Sequence, residues 1–384
     1  MQQWLAALAA LASFTAAYTI HPRQDSACNN SPDLCSKSYS EVTHLGAHNS
    51  PFLRDESTGF STSGNHYFSS TLQLSAGVRM LTGQVHRSNG EWHMCHSSCD
   101  LLDAGRLTDW LSEIKAWMDE NPSDVVSILL VNSDNASPKD LAAEFDNADI
   151  IKYAFRPADV SNPPESWPTL QELIAADTRL MAFVASFDTN LIDDTTSFLM
   201  NEFTFIFETA FENFEAKDFS CIPDRPSGVK GRSEQAVSSG RLPLQNHFLY
   251  DKQLFGIEAP AEDKIGDTNA PAEKTGNIGD AAEQCQTEWG RAASFILVDF
   301  FDQGPAMATV DKLNGVTNPV GRASLPPRDQ ESNGPNLSSD LPSSLVDMVQ
   351  RVRNGDNPSL GAWIWAGGDF GKTLGGWDPT GRDQ

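Results

Sequence analysis

The chain has 384 residues, 39% hydrophobic and 21% charged, with 27 Lys and Arg against 52 Asp and Glu for a formal charge of −25. That apolar fraction is ordinary for a folded protein and excludes wholesale disorder. The acidic balance excludes nucleic acid and a strongly anionic surface as general partners, so an anionic substrate would need a local basic pocket.

Residues 1–17 (MQQWLAALAALASFTAA) carry no charged side chain and hold an apolar stretch about as long as a secretory h-region, too short to span a bilayer. They read as a signal peptide cleaved before Tyr18, leaving a secreted, extracellular, soluble product. Residues 18–36 follow as an N-terminal segment with a disulfide. Six cysteines lack the double CxxC spacing of a zinc site and suit an oxidising compartment. Proximity along the chain pairs Cys28 with Cys35, Cys95 with Cys99, and Cys221 with Cys285. Sequons at Asn29, Asn135 and Asn336 offer glycan acceptors on exposed loops.

EVTHLGAH (41–48) predicts a first strand and GVRMLTGQV (77–85) a second, followed by a polar, hairpin-like stretch carrying His86 and His93. In LTDWLSEIKAWMDENP, Leu107, Trp110, Leu111, Ile114 and Trp117 have the spacing of an amphipathic helix, stopped by Asn121-Pro122. VVSILLVN (125–132), LMAFVAS (180–186) and FILVDFF (295–301) predict further core strands. Fully apolar strands separated by such helices imply a parallel sheet covered on both faces. Segments 222–245 and 256–284, rich in Gly, Pro, Ser, Asp and Glu, read as long surface excursions. Residues 317–384 form a C-terminal extension that can pack on the main domain: a loose stretch to about 341, a helix in LPSSLVDMVQRVRNG and an apolar end, GAWIWAGGDF.

His48, Gln84, His96, Asn132, Asp188 and Asp299 fall at or just past the C-terminal ends of predicted strands, where parallel α/β folds place their chemistry. No GxGxxG turn or P-loop follows a strand. The expected fold is therefore α/β: a TIM-type (β/α)8 barrel, distorted, with long rim loops, preferred over a doubly wound nucleotide-binding sheet. His48 and His96, on separate strands and each titrating near neutral pH, suit general base and general acid on one phosphodiester.

His48-Asn49-Ser50, the GVR run, CHSSC, NPSDVVSILLVN, ETAFE, CIPDRP, LPLQNHFL and FILVDFF, in that order over about residues 37–316, resemble the secreted fungal branch of the phosphatidylinositol-specific phospholipase C X-domain superfamily. The resemblance implies a distorted barrel and phosphodiester chemistry on inositol-type lipids. It makes His48 the base that takes a proton from the inositol 2-hydroxyl, His96 the acid that protonates the departing diacylglycerol oxygen, and Asp299 the carboxylate that orients an imidazole. A cyclic inositol phosphate would result.

Metal-dependent members of that superfamily hold calcium with strand-end carboxylates. Here the matching places fall on Asn49, Thr82, Gln84 and Asn132, so no cofactor is expected and the acidic ligands for calcium are not found. The metal-independent members put an arginine on the second strand, and that place is Gln84. Arg79, His86 and Arg87 are the candidate substitutes for the missing charge, and His247 in QNHFL divides between a substrate contact and a turn. Three functions follow: a phospholipase C-like phosphodiesterase on inositol phospholipid or a glycosyl-inositol lipid, an inactive barrel binding an inositol phosphate, glycan or head group, and a glycerophosphodiester-type phosphodiesterase. The expected partner is an inositol phospholipid or related diester, met by a monomer with peripheral membrane contact through aromatics near Phe211, Phe214 or Trp363.

Overall fold

The computed structural model describes residues 27–252 and 258–328. The expected signal peptide, the Asn336 sequon, the expected C-terminal helix and Trp363 lie outside them. Among the described residues thirteen strands form in chain order: β1 (His44–Ala47), β2 (Met80–Ser88), β3 (Glu91–Cys95), β4 (Asp103–Arg106), β5 (Val126–Asn132), β6 (Leu180–Ala185), β7 (Leu199–Asn201), β8 (Ile206–Thr209), β9 (Pro223–Arg225), β10 (Leu242–Asn246), β11 (Tyr250–Lys252), β12 (Glu258–Pro260) and β13 (Phe295–Val298). The parallel strands lie in the order β7-β6-β5-β2-β1-β13-β10-β8. Numbered along the chain they read 5-4-3-2-1-8-7-6, the cyclic order of an α/β barrel.

The ring is open between β7 and β8. Parallel neighbours need a crossover of about a dozen residues or more, and only α5 (Glu202–Phe205, 4 residues) joins these two. The edge of β8 that faces the gap is taken instead by β9, paired antiparallel.

Alternation along the strands sorts the core into two layers. Met80, Leu129, Phe183, Leu244, Phe295 and Leu297 fill the barrel interior. Leu81, Val85, Ile128, Leu130, Ile296 and Val298 point outward and pack with Trp110, Leu111 and Ile114 of α2 (Leu107–Glu120), the amphipathic helix read from the sequence.

Residues 222–245 and 256–284 are not mere surface excursions. The first contains β9, α6 (Ser233–Ser238) and most of the fully buried barrel strand β10, and the second contains α7 (Ile265–Thr268) and most of α8 (Ile278–Trp289). Helix α8 buries Ile278, Ala281, Ala282, Cys285 and Trp289, and small alanines on that face hide its apolar stripe from a composition reading. All three cysteine pairs are disulfides, Cys28–Cys35, Cys95–Cys99 and Cys221–Cys285, as an oxidising compartment allows. Asn29 is no exposed glycan acceptor: it is 5% accessible and its Oδ1 accepts the Val125 amide at 2.7 Å. Among the described residues no helix is long and apolar enough to cross a membrane.

Candidate active site

The first and last barrel strands are neighbours, with Ala47 opposite Val298. The next residue of each, His48 and Asp299, therefore emerges side by side at the C-terminal rim. His48 Nδ1 lies 3.0 Å from Asp299 Oδ1, and Asn65 Nδ2 donates to the same oxygen at 2.8 Å. A carboxylate on Nδ1 selects the tautomer with its proton there and leaves Nε2 as the base. The ring is fixed from its sides as well. Phe248 stacks on it at 3.7 Å with the planes 2° apart, and His66 Nε2 donates to the His48 carbonyl at 2.8 Å.

β2 runs past the barrel rim into a hairpin with β3, antiparallel, pairing Val85 with Met94 and His86 with His93. The returning strand brings His96 down beside the rim, where the Cys95–Cys99 disulfide closes the turn. A Cβ on Gly83 would stand 2.4 Å from the end of the Met94 side chain and 3.2 Å from Pro51, so glycine leaves both in place without a shift. Thr82, Gln84 and His86 share the inward face of β2. Thr82 Oγ1 accepts the Asn49 amide at 2.9 Å, and Gln84 Oε1 accepts the Ser97 amide at 2.7 Å. Asn49 itself takes the left-handed backbone that asparagine tolerates, φ 54°.

His96 is 4% accessible and its ring packs edge-on to Phe52. Burial pushes its pKa down to about 4, the nearby His48 charge adds to the fall, and Asp299 opposes it. It is neutral in the free protein at neutral pH. His86 is also lowered by burial, against the pull of Asp134.

Four expected ligands do not serve the site. Arg79 precedes β2 at the opposite end of the barrel, where its guanidinium is bound to Asp124 at 2.6 Å, to Asn30 and to the Leu74 and Val78 carbonyls. Arg87 lies on the outward face with Leu81 and Val85, exposed and stacked over Trp92 at 5.2 Å. Asn132 also faces outward and spends its amide on Ala136 and the Ser186 carbonyl. His247 is buried against Phe219 with Nε2 donating to the Thr268 carbonyl at 3.0 Å. Asp188 only caps a short exposed turn. Phe211 and Phe214 are half-buried under Arg225 and Lys252.

Sequence reasoning missed Asn65 and His66, which sit in a loop with no periodicity to mark them. It also missed Glu208, the rim residue of β8, which pairs with Arg225 and accepts from Asn246 Nδ2 at 2.9 Å. Arg225 is thus neutralised by its own carboxylate. Calcium does not fit this rim, because it wants several carboxylate oxygens and Asp299 Oδ1 is already held by His48 and Asn65. Among the described residues, the one cluster with metal-ligand spacing is His93, Cys95 and Asp103, and its sulfur is spent in a disulfide.

The family model described as PI-PLC X matches residues 34–314. The chain is 36% identical over 316 residues to a PI-PLC X domain-containing protein 1 of Arthroderma benhamiae, covering 82% of this chain and 97% of that one. It is 34% identical over 303 residues to a protein of the same fungus described as secreted, covering 77% of this chain and 66% of the relative. Among solved structures, the phosphatidylinositol-specific phospholipase C from Listeria monocytogenes aligns with a TM-score of 0.47 at 14% identity, over 74% of this chain and 95% of that one.

Proposed function

The chain belongs to the PI-PLC X-domain family and has its phospholipase C-like fold, and on that premise we propose that it is a secreted phosphodiesterase cleaving an inositol phospholipid or glycosyl-inositol lipid through a cyclic phosphate. The observation that carries this reading is the His48–Asp299 pair facing a second buried histidine, His96, across the same rim. The three disulfides and the secreted relative support the extracellular assignment.

In the reaction we propose, His48 Nε2 accepts the proton of a hydroxyl adjacent to the phosphate, and that oxygen attacks phosphorus. The bond from phosphorus to the glycerol oxygen breaks, and that oxygen takes a proton from His96 Nε2. His48 gains one proton and His96 loses one, so the site is reset by a single net transfer. Asp299 stabilises the imidazolium formed on His48. Such acid–base assistance contributes on the order of 100 to 10,000-fold in rate. His96 must be protonated to act, and the arriving phosphate monoanion favours that state by its charge.

Phosphorus NMR of the purified protein with phosphatidylinositol in detergent micelles tests the proposal. A cyclic inositol phosphate signal is expected with calcium and with chelator alike, and is expected to vanish in His48→Ala and His96→Ala. Uncharged Asn49 and Gln84 at the rim favour one other reading, a barrel that binds an inositol phosphate without turning it over. Binding with no cyclic product under any condition would establish that reading and remove the enzyme.

A further inference from the structure

The rim has no arginine or lysine aimed at a phosphate from β2, and three of its buried nitrogens have no hydrogen-bond partner: Asn49 Nδ2, His86 Nε2 and His96 Nε2. Their residues are 2%, 7% and 4% accessible. An unpaired buried polar atom is costly, so each of these nitrogens is a place where a ligand can supply the missing partner. His96 is spoken for by the proposed proton transfer. His86 and Asn49 are not.

His86 stands on the inward face of β2, two residues beyond Gln84, close enough for its charge to weigh on His96. Its other nitrogen, Nδ1, is 3.3 Å from Asp134 Oδ1. Asp134 is itself held in place, because its second oxygen accepts the Arg87 amide at 2.7 Å. The groups around His86 that can carry charge are Asp134 from the turn after β5, His96 from the end of β3, and its cross-strand neighbour His93, which is paired with Asp103 at 2.9 Å. With a carboxylate on Nδ1, the neutral ring keeps its proton there and Nε2 is an acceptor that would repel an anion. Only the imidazolium donates from both nitrogens.

We propose that His86, backed by Asp134, is the phosphate-binding cation of this barrel and that it becomes charged only as a phosphodiester anion binds at its Nε2. The proton comes from solvent and sits on His86 Nε2, between two negative groups. Burial keeps the ring neutral without a ligand, and the anion reverses that balance. Asp134 acts as a positioning residue through His86. This inference rests on the proposed phosphodiesterase reading, since it takes the ligand to be a diester of an inositol phosphate.

Calorimetric titration with inositol 1,2-cyclic phosphate, in two buffers of different ionisation enthalpy at pH 7.5, measures affinity and proton uptake together. The native protein is expected to take up more protons on binding than His86→Gln, with affinity falling about 10- to 100-fold in that variant, the loss of one charge-assisted hydrogen bond. Asp134→Asn, at a half-exposed position that does not threaten folding, is expected to weaken binding less and to move its pH dependence to lower pH. Unchanged affinity and proton uptake in both variants, with native turnover intact, would overturn the inference and leave the enzyme reading standing. A native protein that neither binds the cyclic diester nor turns over phosphatidylinositol would remove both.

Discussion

His48 Nδ1 and Asp299 Oδ1 stand 3.0 Å apart although 251 residues separate them in the chain. Asp299→Asn keeps the shape and removes the charge, so the ring loses both its tautomer preference and its counter-ion. Turnover in the variant is expected to fall about 100- to 10,000-fold with KM little changed. Asn65→Ala, which only releases the orienting bond to Asp299, is expected to cost about tenfold, within the range of supporting hydrogen bonds. Steady-state kinetics on phosphatidylinositol micelles measures both.

Four buried histidines, His44, His66, His96 and His247, have their pKa lowered from 6.5 to about 4, in each case chiefly by burial. A depressed folded pKa gives stability that is complete above the unfolded value and is lost as pH falls through the folded one. Each histidine accounts for up to about 3 kcal/mol between pH 6.5 and 4, from about 1.4 kcal/mol per unit. Four together rival a typical total stability of about 5–15 kcal/mol. Urea titrations stepped through this range are expected to show stability collapsing before pH 4, and a flat profile would refute the burial account.

At the open seam, Glu202 is fully buried and its pKa is pushed up to about 8, first by burial and then by the charge of Glu208. The sign is opposite here: a raised folded pKa stabilises fully below 4.5, and the contribution is lost as pH rises towards 8. Glu202→Gln cannot ionise. Its melting temperature is expected to exceed that of the native protein at pH 8.5 and not at pH 5, by an amount on the order of a kcal/mol or more in stability.

Arg79→Ala leaves Asp124 buried at the amino end of the barrel without its partner. Loss of about 3–5 kcal/mol is expected, as for one member of a buried ion pair. Any turnover of the protein that remains folded should match that of the native protein, because Arg79 lies at the far end from His48. A specific loss of phosphodiester affinity in this variant would contradict its placement.

Much of the barrel was legible because its strands are short runs of Val, Ile, Leu and Phe and α2 keeps its apolar residues at helical spacing. His48 and Asp299 stood out because each directly follows such a strand, and His96 because it follows the hairpin strand Glu91–Cys95. Two of the misplaced ligands, Arg87 and Asn132, share one physical cause, the period-two alternation of side chains. Counting inward from Thr82 puts Gln84 and His86 inside and Arg87 outside, so parity alone could have excluded Arg87. Asn132 fails by the same rule against Leu129. β8 escaped because the charged Glu208 breaks its apolar run, and α8 escaped because alanines bury its face. Asn65 and His66 are placed by tertiary contacts from a loop, which no local pattern encodes.

The pairing of β1 with β13 sets a schedule as well as a geometry. Every other barrel strand is synthesised between the two that carry His48 and Asp299, so a nascent chain owns an unassisted imidazole until its domain is almost complete. A product truncated anywhere between His96 and Asp299 keeps both histidines and lacks the carboxylate that orients one of them. On the proposed reading, competence toward a phosphodiester would then be withheld until the last strand closes against the first.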